Sequence, residues 1–180
     1  FPTIQAEPTS RAVRGTDAVK NKLHDLCLER DKSIITIECY PGVNDAEILS
    51  LFPKAALIIH ADELAIAPAE LDAKIEHELT DDNVFGIMTT WRLLDFYPSE
   101  ALCAAQKKIN AVESGLVIVY GVGASLVTRG DVLIYADLTR WEVQLRFRKG
   151  QDAMVCRSEL NTNVVILLNG AGGIRLKTSF

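Results

Sequence analysis

The sequence has 180 residues, the length of one ordinary domain or of one domain with a tail. Apolar residues make up 48% of it, enough for a substantial core, and the formal net charge is -5 with no long basic cluster. A nucleic-acid partner, which needs a basic stripe, is excluded on this reading, and no stretch has the length of a membrane span.

Phe1 to Arg14 has no clear period and reads as an arm. Thr16 to Arg30 is predicted as a helix, because Val19, Leu23, Leu26, Cys27 and Arg30 recur at three- and four-residue steps, with Thr16 or Gly15 as cap. Ser33–Cys39 (SIITIEC) is a short β-branched run of the kind buried on both faces in a parallel sheet. Tyr40-Pro41-Gly42-Val43 is a turn, and Asn44 caps a helix from Asp45 to about Phe52.

Ala55–His60 (AALIIH) is a second buried strand, followed by Asp62-Glu63. Pro68 opens a helix that runs to about Leu79. Thr80 to Asn83 is polar and precedes Val84 to Met88; Trp91 to Tyr97 is a mixed segment; Pro98 or Ser99 starts a longer helix stopped by Gly115. Leu116–Tyr120 (LVIVY) is a third strand, Gly121 to Ser125 a small-residue turn, and Asp131–Asp137 (DVLIYAD) a fourth strand. A helix is predicted from Thr139 to Lys149, ended by Gly150, then a strand over residues 164–168 and a loose turn from Asn169 to Gly173. Strands that alternate with helices predict an α/β fold, a mainly parallel open sheet with helices on both faces. Ligands in such sheets bind at the carboxyl ends of the strands. Here these are Cys39-Tyr40, His60-Ala61-Asp62, Tyr120-Gly121 and Asp137.

The first strand-to-helix turn has the context of a nucleotide-binding loop, GxxxxGK[ST], without its residues. In such loops the glycines let backbone amides wrap phosphates, the lysine neutralises charge and the hydroxyl holds magnesium. Over Cys39, Tyr40, Pro41, Gly42, Val43, Asn44, Asp45 and Ala46, Cys39 takes the first glycine's place and Asn44 the second's. Asp45 stands for the lysine and Ala46 for the hydroxyl. At about 4 Å and an effective dielectric near 20, each unit pair is worth roughly 4 kcal/mol before screening, so the reversal repels a triphosphate. The plain alternative is a capped βα turn that never bound phosphate.

Asp62-Glu63 could supply a base or a magnesium anchor, or be a solvated acidic turn, and His60 suits either. Gly121 to Ser125 reads as an anion nest or a simple tight turn. Arg140, Arg146 and Arg148 lie on the helix after the fourth strand, where they reach a phosphate or are solvated; Arg146 and Arg148 do not share a helix face. Cys27, Cys39, Cys103 and Cys156 are dispersed, as are His24, His60 and His77, which argues against a metal site and suits a reducing cytoplasm. No basic-then-apolar leader opens the sequence, so no secretion signal is expected, and the absent first methionine suggests trimming.

Five stretches carry a family resemblance: FPTI, IECYPGVNDAEIL, LTDDNVFGIMT, LVIVYGVGASLV and GDVLIYADLTRWEVQLRFRKG. Together, over residues 1–150, they resemble the N-terminal region of the long bacterial class I mannose-6-phosphate isomerases. Residues 151–180 depart from that pattern and are expected as a divergent tail with one further strand. The resemblance places isomerase chemistry in a separate zinc-binding cupin domain, so this chain carries no cofactor of its own. It also implies a likeness to uridine-kinase-type P-loop domains, a three-layer nucleoside-kinase-like sandwich. By that likeness Asp62 matches the acidic residue after the kinases' second strand, and the helix of Arg140, Arg146 and Arg148 resembles their phosphate-clamping lid. The function implied is an accessory or regulatory kinase-like domain without phosphoryl transfer. Its partner would be an isomerase cupin domain in cis or in trans, and its small ligand a sugar phosphate or nucleotide fragment, with a homo-oligomer left open. The alternatives are an active nucleoside or sugar kinase with relocated phosphate-binding charge, and a purely structural interaction module.

Overall fold

The computed structural model describes residues 12–28, 30–81, 86–148, 163–168 and 174–177. In chain order the strands and α-helices are β1 (Ala12–Arg14), α1 (Thr16–Leu28), β2 (Lys32–Cys39), α2 (Asp45–Leu49), β3 (Leu57–His60), α3 (Pro68–Ile75), α4 (Ser99–Ala111), β4 (Gly115–Gly121), α5 (Ala124–Val127), β5 (Val132–Asp137), α6 (Arg140–Arg148), β6 (Asn163–Leu168) and β7 (Ile174–Lys177). Short 3-10 turns cover Ala61–Leu64, Glu76–Glu78 and Leu93–Phe96.

The α/β class expected from the sequence is observed. One sheet runs in the order β1-β7-β6-β5-β2-β4-β3. Its centre, β5-β2-β4-β3, is wholly parallel, with Ile35 opposite Ile118 on β4 and Val132 on β5. β6 joins β5 antiparallel, β7 joins β6 antiparallel, and β1 pairs parallel with β7. The tail therefore contributes two strands where one was expected. The end of the expected N-terminal arm is itself a strand, too short at three residues to leave a period in the sequence.

The apolar runs are buried on both faces. On one face α1 and α2 cover Ile35, Ile37, Leu116, Ile118 and Ile134, with Val19, Leu23 and Ile48 in the same cluster. On the other, α4 and α5 cover Val117 and Val119 through Leu102, Ala105, Ile109 and Val127. Alternation along β4 sends successive residues to opposite cores, which is why LVIVY is apolar throughout.

α2 stops at Leu49, short of the expected Phe52, with Pro53 following soon after. α3 gives way at Glu76 to a 3-10 turn ending at Glu78, close to the expected helix end. Residues 1–11, the expected turn from Asn169 to Gly173, residues 82–85, and Lys149-Gly150 lie outside the described residues. Among the described residues no helix is long and apolar enough to cross a membrane.

Candidate functional site

β2 and β4 are neighbours in the sheet, yet the helices that follow them pack on opposite faces, α2 with the first cluster and α5 with the second. Two connections that leave adjacent parallel strands in opposite directions open a crevice at the carboxyl ends, the usual ligand position in open α/β sheets. Its walls are the β2–α2 turn, residues 40–44, and the β4–α5 turn, residues 122–123.

The β2–α2 turn is closed on itself. The Val43 amide donates to the Tyr40 carbonyl at 3.1 Å, with Pro41 and Gly42 (φ 92°) at the central positions, the residue signature of a type II turn. Tyr40 N–H donates to Ala136 O at 2.8 Å, and Asn44 Oδ1 accepts from Glu47 N–H at 3.1 Å as the cap of α2. Asn44 thus caps α2 as expected. The Tyr40, Val43 and Glu47 amides are thus committed to the sheet, the turn and the cap.

The β4–α5 turn does receive an anion, and that anion belongs to the protein. Glu38, at the end of β2, accepts from Gly123 N–H through Oε1 at 2.6 Å and from Ser125 N–H through Oε2 at 2.8 Å. Asp62 Oδ1 accepts from the next amide in the turn, Val122 N–H, at 2.9 Å. The Tyr97 hydroxyl donates to Val122 O at 2.6 Å. Gly123 (φ 77°) has no room for a side chain: a Cβ there would sit 2.8 Å from the Tyr97 ring and hydroxyl. The nest reading of Gly121 to Ser125 therefore describes the geometry, with Glu38 and Asp62 as the anions.

Asp62 also reaches His60, whose Nε2 lies 3.0 Å from Asp62 Oδ2 and 3.7 Å from Asp45 Oδ2, while Nδ1 lies 3.8 Å from Glu63 Oε1. The imidazole stacks on Tyr120 with ring centroids 4.6 Å apart and planes 3° from parallel. Three carboxylates, Asp45, Asp62 and Glu63, therefore gather around His60 at this end of the sheet, and a fourth, Glu38, sits on the neighbouring turn. Burial, together with the neighbouring Asp62 charge, pushes the Asp45 carboxyl above its usual range, partly offset by His60.

Among the sequence candidates, Asp62 and Asp45 meet in this cluster. Cys39 is buried beneath it, and the remaining loop residues, Tyr40 to Asn44 and Ala46, form the closed turn and the start of α2. Arg148 lies instead over the Trp141 ring, 5.7 Å from its centroid. The side chains of Arg140 and Arg146 lie outside the description. Glu38 and Tyr97 were not among the candidates. Glu38 had a legible signal, as the one charged residue in SIITIEC and adjacent to the strand's carboxyl end. Among the described residues no group of three or more His, Cys, Asp or Glu side chains could hold a metal ion.

The same crowding of acids affects the groups below it. Burial, then the Asp45, Asp62 and Glu38 charges, pushes the Cys39 thiol up to about 12, against an opposing contact from the Gly121 backbone. Burial, then the Asp62 and Glu38 charges, pushes Tyr97 up to about 12, and burial, then chiefly the Asp45 and Glu63 charges, pushes Tyr120 up to about 12. A folded-state value above the unfolded one contributes stability that is complete below the unfolded value and is lost as pH rises towards the folded one. The protein is therefore expected to lose stability from about pH 9, at up to about 1.4 kcal/mol per pH unit for Cys39 alone. Urea midpoints measured between pH 8 and 11 check this. Cys39→Val should flatten the first part of the decline; an unchanged slope would remove the thiol from the account.

Residues 15–163 match the family described as a domain of unknown function, DUF8485. The chain belongs to the DUF8485 family. Neither curated proteins nor solved structures provide a match. The DUF8485 span starts at the αL glycine before α1 and ends on the first residue of β6, so it takes in the four parallel strands and both walls of the crevice.

Proposed function

We propose that this DUF8485 chain is an accessory or regulatory domain built on a P-loop nucleoside-kinase-like three-layer scaffold, and that it does not transfer phosphoryl groups. The observation that carries this reading is the Glu38 carboxylate seated on the Gly123 and Ser125 amides at the strand-end crevice. Phosphoryl transfer relies on positive charge and oriented donors around a polyanion. This crevice offers four carboxylates, and the Tyr40, Val43, Val122, Gly123 and Ser125 amides of its two turns have partners within the protein. Asp45 stands at the head of α2, where a kinase loop would carry its lysine. The service of such a domain to a mannose-6-phosphate isomerase cupin, in cis or in trans and in the cytoplasm, is supported by sequence resemblance alone.

Calorimetry with magnesium–ATP tests the reading. The expected result is no binding tighter than about 1 mM, since the clustered carboxylates repel a polyanion and the Gly123 and Ser125 amides already hold Glu38. A micromolar dissociation constant, or ADP release with nucleosides or sugars above a magnesium blank, would overturn it.

A further inference from the structure

The chain between β3 and α4 is built unlike the rest of the molecule. Among the described residues of the span 66–96 no side chain is buried, although the span contains α3 and two 3-10 turns. Nine large hydrophobic side chains are exposed among the described residues, and six of them, Leu79, Ile87, Met88, Trp91, Leu93 and Leu94, fall within sixteen consecutive positions. Met88 is 92% exposed and Leu79 67%.

Backbone and side-chain contacts draw these positions into one strip. Ile87 N–H donates to Glu78 O at 2.9 Å, and the Lys74 ammonium lies 4.4 Å from the Trp91 ring centroid. The stretch 87–91 therefore runs back along α3 and its 3-10 extension in the opposite direction, which puts Ile87 and Met88 at the end near Leu79 and Trp91 at the other. Monomeric proteins seldom leave contiguous apolar surface of this kind without a use for it.

Charge states what covers it. Residues 66–96 hold seven acidic and two basic side chains, a net of -5, while the remainder of the chain balances 17 acidic against 17 basic. The whole formal charge of the chain thus falls within this stretch of sequence. Both of its cations are occupied: Lys74 lies over the Trp91 and Phe96 rings and donates to Asp95 O at 2.6 Å, and Arg92 pairs with Asp95 at 3.4 Å. Glu70, Asp72, Glu76 and Asp81 are exposed. A second copy would set -5 against -5, and an anionic lipid surface would be repelled in the same way.

We propose that the described residues of this stretch, 66–81 and 86–96, form a docking surface for a protein partner that presents an apolar strip bordered by lysine or arginine. The apolar side chains supply the contact area and the acidic border selects the partner and steers its approach. The inference does not rest on the kinase-like reading, because it concerns a different part of the chain and holds whether or not nucleotide binds the crevice.

The full chain is titrated with two synthetic amphipathic helices of about fourteen residues that share a leucine face, one with lysine and one with glutamate on the polar face. The lysine peptide is expected to bind with a dissociation constant near 10 µM, weakening as salt rises, and the glutamate peptide not to bind. The double variants Met88→Ser/Leu94→Ser and Glu76→Lys/Asp81→Lys, both at exposed positions, should each weaken the lysine peptide by at least about tenfold, with unchanged circular dichroism. Equal affinity for both peptides, no binding of the lysine peptide, or variants that bind as the parent does would each overturn the proposal. So would sedimentation that shows a dimer lost on Met88→Ser/Leu94→Ser, which would make the occupant a second copy, or association with phosphatidylglycerol vesicles, which would make it a membrane.

Discussion

Replacing Glu38 with alanine is expected to lower the unfolding free energy by about 2–3 kcal/mol, read as a fall in urea midpoint at unchanged slope. The carboxylate makes two charge-assisted bonds at 2.6 and 2.8 Å to amides 85 and 87 residues away, at a part-buried position. Alanine leaves the Gly123 and Ser125 amides without that acceptor, and the cost of donors left unpaired exceeds the net worth of the bonds when made. Glu38→Gln separates charge from geometry. Its single oxygen can serve one amide, but its NH2 group then faces the other donor, so about half the loss should return. Hydrogen exchange locates the effect: the Gly123 and Ser125 amides should lose protection in both variants while those of α4 keep theirs. An unchanged midpoint in Glu38→Ala would mean that the turn holds its shape without the carboxylate, and would remove the main support for an internally filled crevice.

The position of Glu38 also marks what the sequence could and could not disclose. Strands β2 and β4 were legible as SIITIEC and LVIVY, because burial on both faces demands apolar residues without alternation, and β-branched types suit that environment. α4 was legible from its start at Pro98 or Ser99 and its stop before Gly115. The carboxyl ends of these strands could therefore be named, and Asp62 and Asp45 with them. The partner of Glu38 could not be named, because it is set by the β2–β4 pairing and by the hand of the α5 connection, both of which are tertiary. Gly121 to Ser125 could be recognised as a turn able to bind an anion, but nothing local says that the anion is a side chain of the same molecule. The exposed strip was hidden for the opposite reason. Leu71 and Ile75 fall on one face of α3, a spacing that does not tell a buried face from an exposed one, and α3 has no buried residue. β7 has four residues, of which two are basic, too short and too polar to register as a strand.

Gly130→Ala is expected to cost at least about 3 kcal/mol, and the cost comes chiefly from contact with backbone rather than from the left-handed conformation. Gly130 has φ +58°, a region that a non-glycine residue enters for about 1 kcal/mol. A Cβ at this position would lie 2.5 Å from the Ile34 carbonyl oxygen and 3.0 Å from Thr36 Oγ1. Neither side can retreat. Asp131 N–H donates to that same Ile34 oxygen at 2.8 Å, Asp131 Oδ2 accepts from Ile34 N–H at 2.9 Å, and the Thr36 hydroxyl donates to Thr128 O at 3.0 Å. Asp131 is also paired with Arg30. The loop is thus pinned to β2 on both sides of the glycine, and a shift that relieves the methyl must break bonds to the central strand. Gly15→Ala is the control, since Gly15 has φ +97° and no atom of the described residues within 4 Å of a Cβ, so conformational strain of about 1–2 kcal/mol is the expected cost. Denaturation of the two variants side by side decides the matter. A Gly130→Ala loss no larger than that of Gly15→Ala would mean the loop can lift from β2, whereas a larger one places the close approach to Ile34 among the constraints that hold β5 beside β2.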